Sequence, residues 1–128
     1  MKKVIFAPAF EHFVDRWHLS PALDTGEFVF FSGITGCRPN HTVASDPEQQ
    51  FREAFQFLGD TLTAAGLSFE DIVEMTTYHI DLREHLSAFV RVKDEYIRAP
   101  YPAWSAIGVV TTGASFTAAT MKVMVLAL

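Results

Sequence analysis

The chain has 128 residues, 49% of them hydrophobic, and its ten basic and fifteen acidic side chains give a formal net charge of −5. This length predicts a single domain over residues 1–128 with one core. The negative charge would repel a phosphate backbone, so we expect no nucleic-acid partner. The apolar content, with twelve phenylalanines, is more than a small monomer usually needs, which favours an oligomer.

The start of the chain and its cysteine content indicate a cytoplasmic protein. Pro8 and Glu11 interrupt the first apolar residues before they could form a signal peptide. No apolar run approaches the roughly 20 residues of a membrane helix. Cys37 is the single cysteine, and no Cys/His spacing indicates a zinc site. We therefore expect a reducing compartment, no metal and no association with a membrane.

In the first half of the chain the pattern predicts strands and one long helix. Short strands are expected over residues 3–6 and 27–32, followed by a hairpin around residues 36–45. A helix should begin at Asp46, because Asp-Pro-Glu-Gln supplies an N-cap, a proline at the first helical position and a glutamine for a capping box. Gly66 supplies its stop.

The second half repeats the alternation of strand and helix. Residues 71–80 are rich in β-branched residues and predict a strand with Val73 and Met75 on one face and Ile72 on the other. A second helix should begin at Asp81 with a similar capping box and end before Pro100. Two further strands, both apolar and short, are expected over residues 105–111 and 119–128.

The predicted order is ββαβαββ, which indicates an α+β fold. Each helix carries a single apolar stripe, so the two helices can cover only one face of the sheet. The opposite face must then be buried by something outside the chain. A second copy of the same chain is the simplest candidate.

Five segments together resemble the Rid family, the YjgF-like reactive-intermediate deaminases. They are Ser32-Gly33, Ala64-Ala65-Gly66-Leu67, Glu70-Asp71-Ile72-Val73, Asp81-Leu82 and Tyr101-Pro102-Ala103-Trp104-Ser105. The resemblance implies a chorismate-mutase-like fold and a homotrimer with a central β-barrel and three clefts between subunits. It also implies hydrolysis of small enamines or imines to 2-keto acids and ammonia, with no cofactor.

The chain departs from this family at positions that carry the chemistry. Trp104 stands where the family has the arginine that binds a substrate carboxylate, and an indole offers one N–H donor and no charge. Lys122 aligns with a family glutamate that helps to place water, and Ala106 with a cysteine. The standard binding of a carboxylate is therefore absent from this position.

Two interpretations of these departures remain open. Either the protein is a non-catalytic ligand-binding or protein-interaction trimer, or the site has been rebuilt with its positive charge supplied by Lys122 and Arg91. His18 is a candidate general acid or base, although a surface role is the simpler interpretation, and His79 is expected to pack or to cap a helix. The candidate catalytic residues are Ser32, Lys122 and His18. The candidate ligand-binding residues are Gly33, Arg91, Trp104 and Ser105.

Overall fold

The fold is built on a six-stranded mixed sheet with strand order β1-β2-β3-β6-β4-β5. A computed structural model describes it over residues 2–111 and 118–127. The strands are β1 Lys3–Ile5, β2 Ala22–Asp24, β3 Phe28–Phe31, β4 Ile72–His79, β5 Ala103–Gly108 and β6 Ala119–Leu126. The helices are α1 His12–Trp17, α2 Pro47–Ala64 and α3 Leu82–Tyr96. The predicted α+β class is confirmed, and the predicted strand end at Leu128 lies outside the described residues.

The predicted start and end of α2 are confirmed. The Asp46 carboxylate accepts a hydrogen bond from the backbone N–H of Gln49 at 3.2 Å, Pro47 occupies the first turn, and Gly66 follows with a left-handed φ of 74°. No helix of the described residues is long and apolar enough to cross a membrane.

The predicted side-chain cap of α3 is wrong. Asp81 has a left-handed φ of 51° and its carboxylate makes no capping hydrogen bond. Its carbonyl oxygen instead accepts from the N–H groups of Glu84 and His85 at 3.0 and 3.1 Å. A left-handed residue at this position redirects the chain out of β4, so the backbone carbonyl of Asp81, and not its carboxylate, accepts from the first helical turn.

The predicted hairpin at residues 36–45 is also wrong, because these residues form no strand. They form a loop in which the Arg38 N–H donates to the Thr42 carbonyl at 2.9 Å. The hairpin lies earlier, between β2 and β3, where the Thr25 N–H donates to the carbonyl of Phe28 at 3.0 Å. At three residues, β2 is too short to show the alternation that identifies a strand.

Alternation along β4 separates the two faces of the sheet. Met75, Thr77 and His79 are buried on the face that packs against α2 and α3. A register irregularity next to Val73 places Ile72 in the core, with 4% exposure, while Val73 is 38% exposed. The prediction that Val73 and Met75 share a face is therefore wrong, because an extra residue in a strand reverses the alternation beyond it.

The face opposite the helices is left uncovered by residues 2–111 and 118–127 of one chain, and we call it the open face. Its large apolar side chains are strongly exposed: Phe30 is 44%, Ile107 42% and Leu126 45% exposed. The open face includes Val4, Leu23, Phe28, Phe30, Glu74, Thr76, Tyr78, Ser105, Ile107, Lys122, Met124 and Leu126.

A buried glutamine joins the loop after β3 to α2 and to the start of β6. Gln50 is 7% exposed; its Nε2 donates to the Ala44 carbonyl at 2.7 Å and its Oε1 accepts from the Ala118 N–H at 2.8 Å. The loop lies so close to α2 that a Cβ on Gly36 would be 2.5 Å from the Gln50 carbonyl oxygen. One side chain therefore satisfies two backbone groups of different segments.

Replacing Gln50→Ala should lower the free energy of unfolding by about 1–3 kcal/mol, because it leaves both backbone groups without their partner. The matched control is Gln49→Ala, whose side chain is exposed and should cost less than about 0.5 kcal/mol. Urea unfolding followed by circular dichroism measures both. Equal losses in the two variants would contradict this role for Gln50.

Candidate functional site

Trp104 lies on the helix-packed face of the sheet, near the edge formed by β5. Its indole Nε1 donates to the Thr77 hydroxyl oxygen at 3.0 Å. Its ring lies 6.1 Å from the ring of Phe89, and the Lys93 ammonium lies 4.7 Å from its centroid. The single donor of the indole is therefore already used by the protein.

Thr77 joins Trp104 to a buried histidine. The Nε2 of His79 lies 2.7 Å from the same Thr77 hydroxyl oxygen, while its Nδ1 is buried with no hydrogen-bond partner in the described part of the chain. The ring packs edge-on against Phe89, with centroids 4.6 Å apart. Burial, and secondarily the charge of His85, lower the pKa of His79 to about 4. His79 is therefore neutral at pH 7 and packs in the core, which agrees with the packing role expected from the sequence.

A row of polar side chains crosses the open face. Lys122 on β6 pairs with Thr76 on β4, which pairs with Ser105 on β5. Paired residues on adjacent strands point to the same face about 5 Å apart, so Lys122 and Ser105 are separated by roughly 10 Å at their Cα atoms. The Lys122 ammonium donates to the Phe31 carbonyl at 2.6 Å. This row places one cation among exposed apolar side chains.

Ser32 lies beside this row, directly after β3. Its hydroxyl donates to the Ser20 carbonyl at 2.6 Å, and its N–H donates to the Pro21 carbonyl at 3.0 Å. The hydroxyl oxygen keeps its lone pairs for a ligand, but its proton is committed to the backbone. Gly33 follows as an exposed residue.

Arg91 and His18 lie away from the polar row. Arg91, on the exposed surface of α3, pairs with Glu48 of α2 at 3.0 Å, and its side chain is 66% exposed. His18 ends α1 in the left-handed conformation, with φ of 52°, and its N–H donates to the Val14 carbonyl. His18 is exposed.

Within one chain, the structure brings together only some of the candidate residues. Lys122 and Ser105 share the open face beside Ser32, whereas Trp104 faces the helices and Arg91 lies on their surface. The idea that Lys122 and Arg91 supply charge beside Trp104 therefore cannot hold inside one chain. A site that contains Trp104 together with Lys122 would have to be built from two copies.

Sequence reasoning missed Lys93, which lies against Trp104. Its side chain is only 11% exposed. The signal was present: Lys93 follows Phe89 by four residues and so lies on the same helix face. A lysine in the apolar stripe of an amphipathic helix indicates a buried cation.

One group of side chains in the described ranges has the composition of a metal site. The ligand atoms of Asp81, Glu84 and His85 lie within 4.8 Å of one another at the start of α3. Both carboxylates are exposed, and exposed acidic groups of this kind are common without an ion. We therefore assign no metal to them.

Comparison with known proteins points to one family. The family model described as Endoribonuclease L-PSP matches residues 13–124. The RutC family protein YjgH of Escherichia coli (strain K12) is 40% identical over 104 residues, which cover 80% of this chain and 79% of that protein.

Solved structures agree with the sequence matches. A structure of a protein YjgH has a TM-score of 0.90 and 32% identity, covering 98% of this chain and 95% of that one. A structure of E. coli TdcF with bound serine has a TM-score of 0.76 and 26% identity, covering 84% and 87%. These likenesses confirm the predicted fold.

The lowered pKa of His79 predicts a pH-dependent stability. The unfolded chain binds a proton near the ordinary pKa of 6.5, whereas the folded chain does so only near 4, so the stabilisation is complete above pH 6.5 and is lost as the pH falls towards 4. Between pH 7 and pH 5 this group should remove about 2 kcal/mol of stability.

His79→Gln should flatten the pH dependence by that amount in urea unfolding at the two pH values. The exposed Gln49→Ala variant, which removes no titratable group, is the control and should keep the wild-type slope. Parallel pH profiles for the wild type and His79→Gln would contradict the assignment.

Proposed function

The chain belongs to the YjgF/Rid family, and we propose that it binds a small imine, enamine or related carbonyl metabolite in clefts between the subunits of a homotrimer. The observation that carries the proposal is the row Lys122, Thr76 and Ser105 on an open face whose other side chains are mostly apolar. Apolar walls with a few convergent polar groups are typical of sites for small molecules.

The trimer is proposed because each chain carries half of a site. The open face presents Lys122 and Ser105, and the edge at β5 presents Trp104 on the other side of the sheet. When the open face of one subunit packs against the β5 edge of the next, the two halves meet and the exposed apolar residues are buried. Burial of apolar area of this kind drives association.

We further propose hydrolytic deamination as the reaction. Water adds to the imine carbon to give a carbinolamine, a proton moves from its oxygen to its nitrogen, and the C–N bond breaks to leave the carbonyl compound and ammonia. An enamine first tautomerises to the imine by taking up a proton on carbon and losing one from nitrogen. Lys122 would stabilise developing negative charge, while Ser32 and Ser105 position the water through their hydroxyl oxygens. No cofactor is required by these steps.

A second candidate function is binding without catalysis. The observation that favours it is the hydrogen bond from Trp104 to Thr77, because the position that the resemblance assigns to a charged ligand contact has neither charge nor a free donor. The scaffold and the cleft would then be retained for a ligand or a partner protein.

The two candidates differ in ammonia release from freshly generated 2-aminoacrylate and from bulkier imines. An enzyme should release ammonia faster than the buffer does, and Lys122→Met should slow it roughly 10- to 100-fold because a charge-assisted contact is lost. Arg52→Met, which removes a helix-surface cation paired with Glu95, is the matched control and should keep the wild-type rate. A wild-type rate equal to background would reject catalysis in favour of binding alone.

The assembly is tested by sedimentation velocity. We expect the wild type to sediment as a trimer and Phe30→Asp to sediment as a smaller species, because a carboxylate buried in an apolar interface is costly. Ala64→Asp, at the exposed end of α2, is the control and should remain trimeric. A monomeric wild type would reject the proposed clefts between subunits.

A further inference from the structure

Lys93 is the only lysine or arginine among the buried residues of the described ranges. It extends from α3 towards β5, and its ammonium lies 4.7 Å from the centroid of Trp104. This distance is that of a cation–π contact. The site around Trp104 therefore contains a positive charge, supplied by the helix and not by the strand.

Among the described residues, the Lys93 ammonium is incompletely paired. It has three protons to donate, and its hydrogen bond within residues 2–111 and 118–127 is to the Asp94 carboxylate at 3.2 Å. Burying an ammonium is unfavourable unless it is paired and hydrogen-bonded. A further acceptor is therefore expected at this position.

Asp94 is a poorly placed partner for Lys93. Adjacent residues on a helix do not face each other, so the carboxylate must turn back towards the ammonium. The Asp94 side chain is 60% exposed, compared with 11% for Lys93. The contact therefore lies at the boundary with water, where another carboxylate can reach the same ammonium.

We infer that Lys93 and Trp104 form a subsite for the carboxylate of the ligand, and that Asp94 occupies this subsite until the ligand displaces it. This inference rests on the proposed function, since it names the charged group of the same ligand. The exchange replaces one carboxylate by another, so Lys93 stays paired in both states. Trp104 supplies the aromatic wall beside the carboxylate, and its hydrogen bond to Thr77 fixes the orientation of that wall.

The test is a binding titration with pyruvate, a 2-keto acid, and with its uncharged methyl ester. The indole N–H signals in NMR spectra report binding, and Trp17→Phe identifies the signal of Trp104, because the chain has two tryptophans. We expect pyruvate to shift the Trp104 signal and to bind at least about tenfold more tightly than methyl pyruvate.

Two variants should change the pyruvate affinity in opposite directions. Lys93→Met should weaken pyruvate binding about tenfold or more and leave methyl pyruvate unaffected. Asp94→Asn should tighten pyruvate binding several-fold, because it removes the competing carboxylate. The control Asp60→Asn changes the net charge equally at an exposed residue of α2 and should leave the affinity unchanged.

The tighter pyruvate binding expected for Asp94→Asn tests the inference even if Lys93→Met fails to fold, because Asp94 is exposed. Lys93→Arg, which retains the positive charge, is a second replacement at Lys93. Equal effects of Asp94→Asn and Asp60→Asn, or equal binding of pyruvate and its ester, would overturn the subsite. The assay also separates this inference from the proposed reaction. Lys93-dependent binding without ammonia release supports the subsite alone, and ammonia release that Lys93→Met leaves unchanged supports the reaction and overturns the subsite.

Discussion

The alternation of side chains along β4 is the constraint on which the rest of the structure depends. This strand lies between β6 and β5, so the side to which each of its residues points fixes the sides of its neighbours. Thr77 and its partners pack against helices, whereas Thr76 and its partners face outwards. Trp104 and Lys122 are consequently held on opposite sides of one sheet, however close they are in strand order.

Much of this framework can be predicted from the sequence because it depends on local signals. The N-cap at Asp46 and the stop at Gly66 identify α2 without reference to anything distant. The predictions that were wrong concern features that depend on contact with another segment of the chain. The irregularity at Val73 exists only relative to β6, and Asp81 resembles an N-cap in composition while its left-handed backbone is set by the exit from β4.

In the candidate site, too, residue identity can be predicted from the sequence, whereas side-chain direction is set by the fold. The resemblance identified Trp104 and Lys122 as departures, but residue type alone does not give the direction of a side chain. Lys93 was overlooked for a related reason, since lysine on a helix is usually exposed. Its burial follows from the packing of α3 against β5: Lys93 lies one turn beyond Phe89, and both side chains lie against the Trp104 ring.

The chain of contacts from His79 through Thr77 to Trp104 links core packing to the proposed ligand site. A protonated His79 would bring charge into an apolar layer, and its neutral form lets the ring pack against Phe89 while contacting Thr77. Thr77 in turn fixes the indole against which Lys93 rests. The position of the Lys93 ammonium therefore depends on how α3 packs against β4 and β5. A substitution deep in that layer can alter the proposed ligand site without contacting a ligand, because it moves the aromatic ring against which Lys93 packs.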